Sequence, residues 1–212
     1  MTLQTSRREF LQGAATAGLV IGLSPSGAFA ATPAQELSPN PFVTIGEDGT
    51  VTVILKHFEM GQGTSTGLTT LVAEELDADW DAVEIAFAPA DASRYVNTAF
   101  GAQGTGGSTA IANSFVQYRQ AGAAARDLLV RAAAAEWSVP AEEIIIENSV
   151  LKHASGKESG FGPMTGRAAT LTVAEELKLK DPSEFKLIGR ETLARKDNLA
   201  KTTGAADFAI DI

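Results

Sequence analysis

The sequence contains no cysteine, and only two histidines stand among its 212 residues. Without a thiol the chain can form no disulfide framework, hold no iron–sulfur cluster through thiolates of its own and use no cysteine nucleophile. Two histidines, His57 and His153, cannot build a histidine-rich metal site. Aromatic residues are sparse at 7%, and 17 basic residues face 26 acidic ones for a formal charge of −9. With no Lys/Arg cluster after the first few positions, a surface for nucleic acid is excluded, because such a surface must replace phosphate counterions. Long hydrophobic runs are missing too. The mildly apolar stretch from Gly13 to Leu23 is eleven residues, against the roughly 20 needed to cross a bilayer, so no transmembrane helix is expected in the mature chain.

What remains is the composition of a globular protein, 44% apolar and 20% charged, with 20 glycines and 8 prolines. That is room for one large domain or two small ones. The first thirty residues read as an address. Ser6-Arg7-Arg8-Glu9-Phe10-Leu11 precedes the apolar stretch, and Ala28-Phe29-Ala30 places small residues at the spacing of a signal-peptidase site. Residues 1–30 therefore read as a twin-arginine signal with a periplasmic destination, and the proline-bearing stretch 31–41 as an extended linker.

In the remainder, β-branched runs at 42–45 and 51–55 flank Asp48-Gly49, which predicts an antiparallel hairpin. Leu68, Leu71, Val72 and Leu76 follow a helical period, 83–88 alternates as a strand, and 110–137, rich in Ala and Leu and stopped before Pro140, is a long helix. Residues 143–148 and 150–153 pair across Asn148-Ser149, a further helix is expected near 171–179, and a strand at 185–188. The fold class expected is α+β, with mixed or antiparallel strands, a hairpin and about three helices. Val72-Ala-Glu-Glu-Leu76 recurs at Val173-Ala-Glu-Glu-Leu177. Five good helix formers recur easily, so this is no repeat.

Two glycine-rich turns carry the chemistry. Gly61-Gln62-Gly63-Thr64-Ser65-Thr66-Gly67 lies between strand and helix, where glycines admit positive φ and a helix N-terminus favours an anion. Its G-x-G-x-x-x-G spacing departs from the dinucleotide fingerprint, and the strand before it reads as part of a hairpin rather than a βαβ unit. The second turn, Gly101 to Ser108, has phosphate-loop spacing with Gly107 where the lysine belongs, which excludes an NTPase. Each turn opens a helix and carries a glutamine amide, a neutral donor for an oxo or phosphate oxygen. The plain alternative is tight connections with Ser and Thr as N-caps. Around them, His57 is read as packing or hydrogen-bonding, Glu59 as orienting the first turn, acting as a base, or simply solvated, and Glu74 to Asp81 as a wet helix face. Arg119 and Arg126 share a helix face and are read as solvated rather than phosphate-binding.

Glu59-Met60-Gly61-Gln62-Gly63 with the following Val72-Ala-Glu-Glu-Leu76 resembles the first active-site segment of the molybdenum hydroxylases, the xanthine dehydrogenase and aldehyde oxidase family. Thr105-Gly106-Gly107-Ser108, the segment from Arg119 to Arg126, Leu179-Lys-Asp-Pro182 and Phe185-Lys-Leu-Ile-Gly189 resemble the large subunit of isoquinoline 1-oxidoreductase-type enzymes. The resemblance implies molybdopterin cytosine dinucleotide with molybdenum, and hydroxylation of N-heterocycles or oxidation of aldehydes with water-derived oxygen. It further implies a small two-iron two-sulfur subunit that passes electrons to an acceptor such as a cytochrome. It places Gln62 on an oxo group of the metal, Gly61 and Gly63 beside the metal, and Gly106, Gly107 and Ser108 near the cofactor. It implies residues 42–189 as the N-terminal part of the cofactor-binding domain, and 190–212 as a linker and the start of an α/β hammerhead domain, approached through Arg195-Lys-Asp197 and Thr203-Gly204. The family's catalytic glutamate has no counterpart here, so the chain is expected to be a fragment, inactive alone. The competing reading is an exported, non-catalytic α+β module that binds an anion or a peptide.

Overall fold

In the computed structural model, residues 37–190 and 193–206 are described. The signal sequence, linker residues 31–36 and the final residues 207–212 lie outside them. Part of the stretch read as linker is the edge strand β1 (Leu37–Asn40). Its Pro39 is tolerated because an edge strand has one side free of ladder bonds. β1 pairs antiparallel with β2 (Val43–Ile45), and β2 with β3 (Val51–Leu55), as the hairpin signal predicts. Gly49, at φ 87°, makes the turn.

The chain then departs from the sequence reading. From β3 it passes through the first glycine-rich turn into α1 (Thr64–Leu76), and returns as β4 (Val83–Phe87), parallel to β3 with Val51 opposite Val83 and Leu55 opposite Phe87. β3 is thus both the second strand of a hairpin and the first of a βαβ unit, and the expectation that it belongs to the hairpin alone is corrected. The sheet order is β1-β2-β3-β4. Val51, Val53 and Leu55 alternate inward along β3 and meet Leu68, Leu71, Val72 and Leu76 of α1.

Beyond a single helical turn, α2 (Ala92–Tyr95), runs α3 (Thr109–Trp137), the long helix expected. It ends at Ser138 in the left-handed region, two residues before Pro140. α3 lies along α1, and Tyr118, Ala121, Ala125, Leu128 and Leu129 complete one core with the sheet. A second, antiparallel sheet comprises β5 (Ile144–Glu147), β6 (Val150–His153) and β7 (Glu158–Gly160). Asn148 and Ser149, at φ 47° and 62°, form the tight turn between β5 and β6 with the positive φ at both positions that the strand twist favours. α4 (Gly162–Ala168) follows, and α5 (Asn198–Thr203) lies beyond 193.

Neither the helix expected near 171–179 nor the strand at 185–188 forms. Polar side chains of α1 and α3 take over the hydrogen bonds those elements would have made. Arg131, Arg126 and Arg119 donate to the carbonyls of Thr172, Lys178 and Lys180 at 2.7, 2.6 and 2.6 Å. Glu75 accepts the Lys180 N–H, and one carboxylate, that of Glu74, gathers the N–H groups of Lys186, Leu187 and Ile188 at 2.9, 2.6 and 3.0 Å. Glu74 and Glu75, read as a wet face, are 1% and 0% exposed. Arg119 and Arg126, read as solvated, are the partners of Glu75 at 2.6 and 3.4 Å. Burial would raise the Glu74 carboxyl, but the three backbone donors and the Lys180 ammonium outweigh it and hold the group below the ordinary carboxylate range.

Candidate functional site

β3 and β4 end side by side, and the crevice outside the carboxyl ends of parallel strands is where open α/β sheets offer room for ligands. Both glycine-rich turns meet there. The first is built around Glu59. One of its carboxylate oxygens accepts the N–H groups of Gly61 and Gly63 at 2.7 and 3.1 Å; the other accepts the N–H and hydroxyl of Ser65 at 2.9 and 2.8 Å. Gly63 is the N-cap of α1 at φ 86° and has no side chain to cap with, so Glu59 supplies the anion that the helix end attracts. The Glu59 side chain is 4% exposed. Burial pushes its pKa up, yet the donors from Ser65, Gly63 and Gly61 prevail and keep it below the usual range. Of the three readings open to Glu59, the structure selects the orienting one. It also corrects a premise: the N–H groups of this turn are committed to the chain's own carboxylate and are not free for an outside anion.

Gln62 stands at the crown of the turn, exposed. Its amide is steadied at both ends, Nε2 donating to the Phe58 carbonyl at 2.7 Å and Oε1 accepting the Met60 N–H. A primary amide carries two N–H donors. One is used by Phe58, which leaves the other for a ligand oxygen.

The second turn hangs from Asn97, a residue not singled out in the sequence. Its buried amide donates to the Gly104 carbonyl at 3.2 Å and the Thr109 hydroxyl at 2.8 Å and accepts the Ala99 N–H at 3.1 Å. Gly107 and Ser108 sit at φ 56° and 55°, immediately before the 29-residue α3. Ser108 is at the N-cap position but makes no side-chain capping bond, and the first turn of α3 carries no acid. Unlike α1, then, α3 has neither a carboxylate nor a side-chain cap on its positive end. This suits an anionic group such as a phosphate better than the first turn does.

The two turns are joined by the hydroxyl of Thr105, which accepts the Phe58 N–H at 2.9 Å and lies 3.3 Å from His57 Nδ1. His57 is buried as the sequence reading expects of a hydrogen-bonding residue. Burial, together with the neighbouring Lys56, pushes its pKa down and favours the neutral ring. Lys56 is itself buried among neutral acceptors, Gln117 Oε1 at 2.6 Å, the Val96 carbonyl at 3.3 Å and Asn113 Oδ1 at 3.4 Å, and ties the strand end to α3. Beside this junction opens a cleft of about 360 Å³, walled by His57, Phe58, Phe87, Gly104 and Thr105. The rings of Phe58 and Phe87 lie 6.1 Å apart at its mouth.

The molybdopterin cofactor-binding domain family matches residues 3–208, so the chain belongs to that family. Among curated proteins, it is 33% identical to the beta subunit of the isoquinoline 1-oxidoreductase of Brevundimonas diminuta over 100% of this chain and 32% of that protein. It is 32% identical to the membrane-bound aldehyde dehydrogenase [pyrroloquinoline-quinone] of Gluconacetobacter polyoxogenes over 97% of this chain and 27% of that protein. With a nicotinate dehydrogenase subunit of Pseudomonas putida it shares 31% identity over 81% of this chain and 14% of that protein. The chain thus spans about a third or less of the length of the curated relatives it matches.

Proposed function

We propose that the chain forms one wall of the molybdenum-cofactor site in a subunit of an exported oxidoreductase that hydroxylates N-heterocycles or oxidises aldehydes. The observation that carries this reading is the Thr105 junction, which brings a turn presenting a neutral amide and a turn at an open helix N-terminus to the ends of the same two strands. Those are the donors that an anionic dinucleotide cofactor with a metal-bound oxygen requires. Bound there, molybdopterin cytosine dinucleotide would supply two-electron oxidation of a carbon centre with oxygen drawn from water.

The chain's own residues bind and orient. Gln62 offers its remaining N–H to an oxygen on the cofactor, and Gly61, where an added Cβ would meet nothing within 4 Å, leaves that side of the turn open. Gly63 completes the turn. Gly106, Gly107 and Ser108 receive the anionic portion at the start of α3. The family membership and the names of the relatives support the cofactor and the reaction class. The missing cysteines support a partner that carries the two-iron two-sulfur clusters and delivers electrons to an acceptor such as a cytochrome. Residues 42–189 form the cofactor-binding part in this reading, and Arg7-Arg8 with Ala28-Phe29-Ala30 supports export to the periplasm.

The test is made on the full-length subunit purified with its partner. Elemental analysis is expected to find molybdenum, and the complex to oxidise members of a panel of N-heterocycles and aldehydes. Gln62→Ala is expected to lower kcat about a hundredfold, the scale of one donor lost from a preorganised site, with unfolding unchanged because the side chain is exposed. A preparation whose activity needs only a quinone and no molybdenum, or an unaltered kcat in the variant, overturns the reading.

A further inference from the structure

Arg195, Asp197 and Lys201 come from a stretch that the resemblance reads only as the approach to another domain. In the structure that stretch folds back onto the first glycine-rich turn. Arg195 Nη1 donates to the Gly61 carbonyl at 3.2 Å, and Nη2 lies 3.3 Å from Glu59 Oε1. The same guanidinium is gripped from behind by both oxygens of Asp197, at 2.9 Å through Nε and 2.7 Å through Nη2. One helical turn on, Lys201 Nζ reaches Asp197 at 2.5 Å and Glu59 at 3.9 Å. The segment is anchored independently by Lys196, whose N–H donates to Thr66 Oγ1 at 3.0 Å and whose ammonium donates to the Val83 carbonyl at 2.8 Å while lying 4.4 Å from the Trp80 ring centroid.

The consequence falls on one peptide unit. Gly61 stands at φ 95°, a conformation that a glycine adopts freely but does not itself enforce. Its N–H is held by Glu59 at 2.7 Å and its carbonyl by Arg195 at 3.2 Å. That carbonyl belongs to the peptide that begins Gln62. Arg195 therefore fixes the plane from which the Gln62 side chain departs, and neutralises the buried carboxylate that gathers the rest of the turn.

We propose that Arg195, braced by Asp197 and Lys201, is a positioning residue for the first glycine-rich turn and sets the direction of the Gln62 amide across more than a hundred residues of sequence. The inference rests on the reading of Gln62 as a cofactor contact, and its test separates the two. In the full-length subunit with its partner, Arg195→Gln is expected to raise amide hydrogen exchange at Gly61, Gly63 and Ser65 about fivefold or more, the scale of one charge-assisted bond, with exchange in β3 and α3 unchanged. In the same variant kcat falls by a similar factor at unchanged KM and unchanged molybdenum content. Arg195→Lys is expected to recover part of both losses, since it keeps the charge toward Glu59 but cannot reach Gly61 and Asp197 with one rigid fork. Unchanged exchange at the turn, or a rise shared equally by β3 and α3, overturns the proposal. So does an unchanged kcat in Arg195→Gln when Gln62→Ala lowers it. If Gln62→Ala leaves kcat alone, the functional reading fails, while the exchange measurement still decides whether Arg195 locks the turn.

Discussion

At the scale of single residues, the carboxylates do the unexpected part. Glu59, Glu74 and Glu75 each sit where composition suggests solvent, and each is instead a collector of backbone or guanidinium donors. Sequence distance hides this, because the donors to Glu74 come from residues 186–188 and the cations facing Glu75 from α3. A charged pair in a helix reads as a wet face unless its partners can be seen. Glu74 gives a prediction with a definite sign. Its folded-state pKa lies below the ordinary 4.5, so deprotonation is coupled to folding. The stability it contributes is complete above that ordinary value and is lost as the pH falls below it toward the folded-state pKa. Amide protection of Lys186, Leu187 and Ile188 is therefore expected to fall on acidification from pH 5 toward 3, as exchange corrected for its intrinsic pH dependence would show. Glu74→Gln is expected to abolish that dependence and to lower protection at neutral pH, by about 1–3 kcal/mol for charge-assisted bonds made weaker. Protection that is flat with pH in the unsubstituted protein would rule out the carboxylate as the holder of this segment.

At the scale of elements, the same five residues have two fates. Val72-Ala-Glu-Glu-Leu76 closes α1, whereas Val173-Ala-Glu-Glu-Leu177 is irregular. Propensity is equal in both, so tertiary context decides. The first copy packs Val72 and Leu76 into the core; near the second, arginines of α3 occupy the carbonyls of Thr172, Lys178 and Lys180. The hairpin, the long helix and the β5–β6 turn were legible because each rests on local signals: Asp-Gly, unbroken helix formers ended by proline, and Asn-Ser. The crossing of α1 and α3 rests on Gly122, whose place no local rule marks. A Cβ built there meets the Val72 carbonyl oxygen at 2.6 Å and Val72 Cα at 3.1 Å. Gly122→Ala gains about 1 kcal/mol of helix propensity, but it forces backbone apart in a packed interface at about 1–3 kcal/mol or more. Because the obstacle is backbone and not the end of a flexible side chain, a net loss of about 1–2 kcal/mol is expected, read as a lowered midpoint in urea or thermal unfolding. A midpoint that rises would mean the two helices can separate at no cost.

At the scale of the whole molecule, the sequence showed both glycine-rich turns and the amide between them, but not that they are neighbours. Their meeting depends on a parallel strand pair that the hairpin signal masked, and on Thr105, one hydroxyl among many. It depends as well on folding that reaches from Arg195 back to Glu59. A site assembled from such distant pieces exists only in the finished fold, and that bears on how the chain would reach the periplasm. A route that threads unfolded protein would dismantle the Glu59, Glu74 and Glu75 clusters, with any cofactor between them. The twin-arginine route carries proteins already folded, and Arg7-Arg8 ahead of the apolar stretch fits that requirement. The full-length protein is expected in the periplasmic fraction of its host, and the double substitution Arg7→Lys with Arg8→Lys to hold it in the cytoplasm, folded and protease-resistant. Lysine keeps the charge but not the planar fork of donors, so the substitution separates recognition of the pair from mere positive charge. Export that survives it, or a protein found in the cytoplasm without any substitution, would remove the twin-arginine assignment. Either result would leave the site, which rests on the turns and not on the leader, to be judged by its own tests.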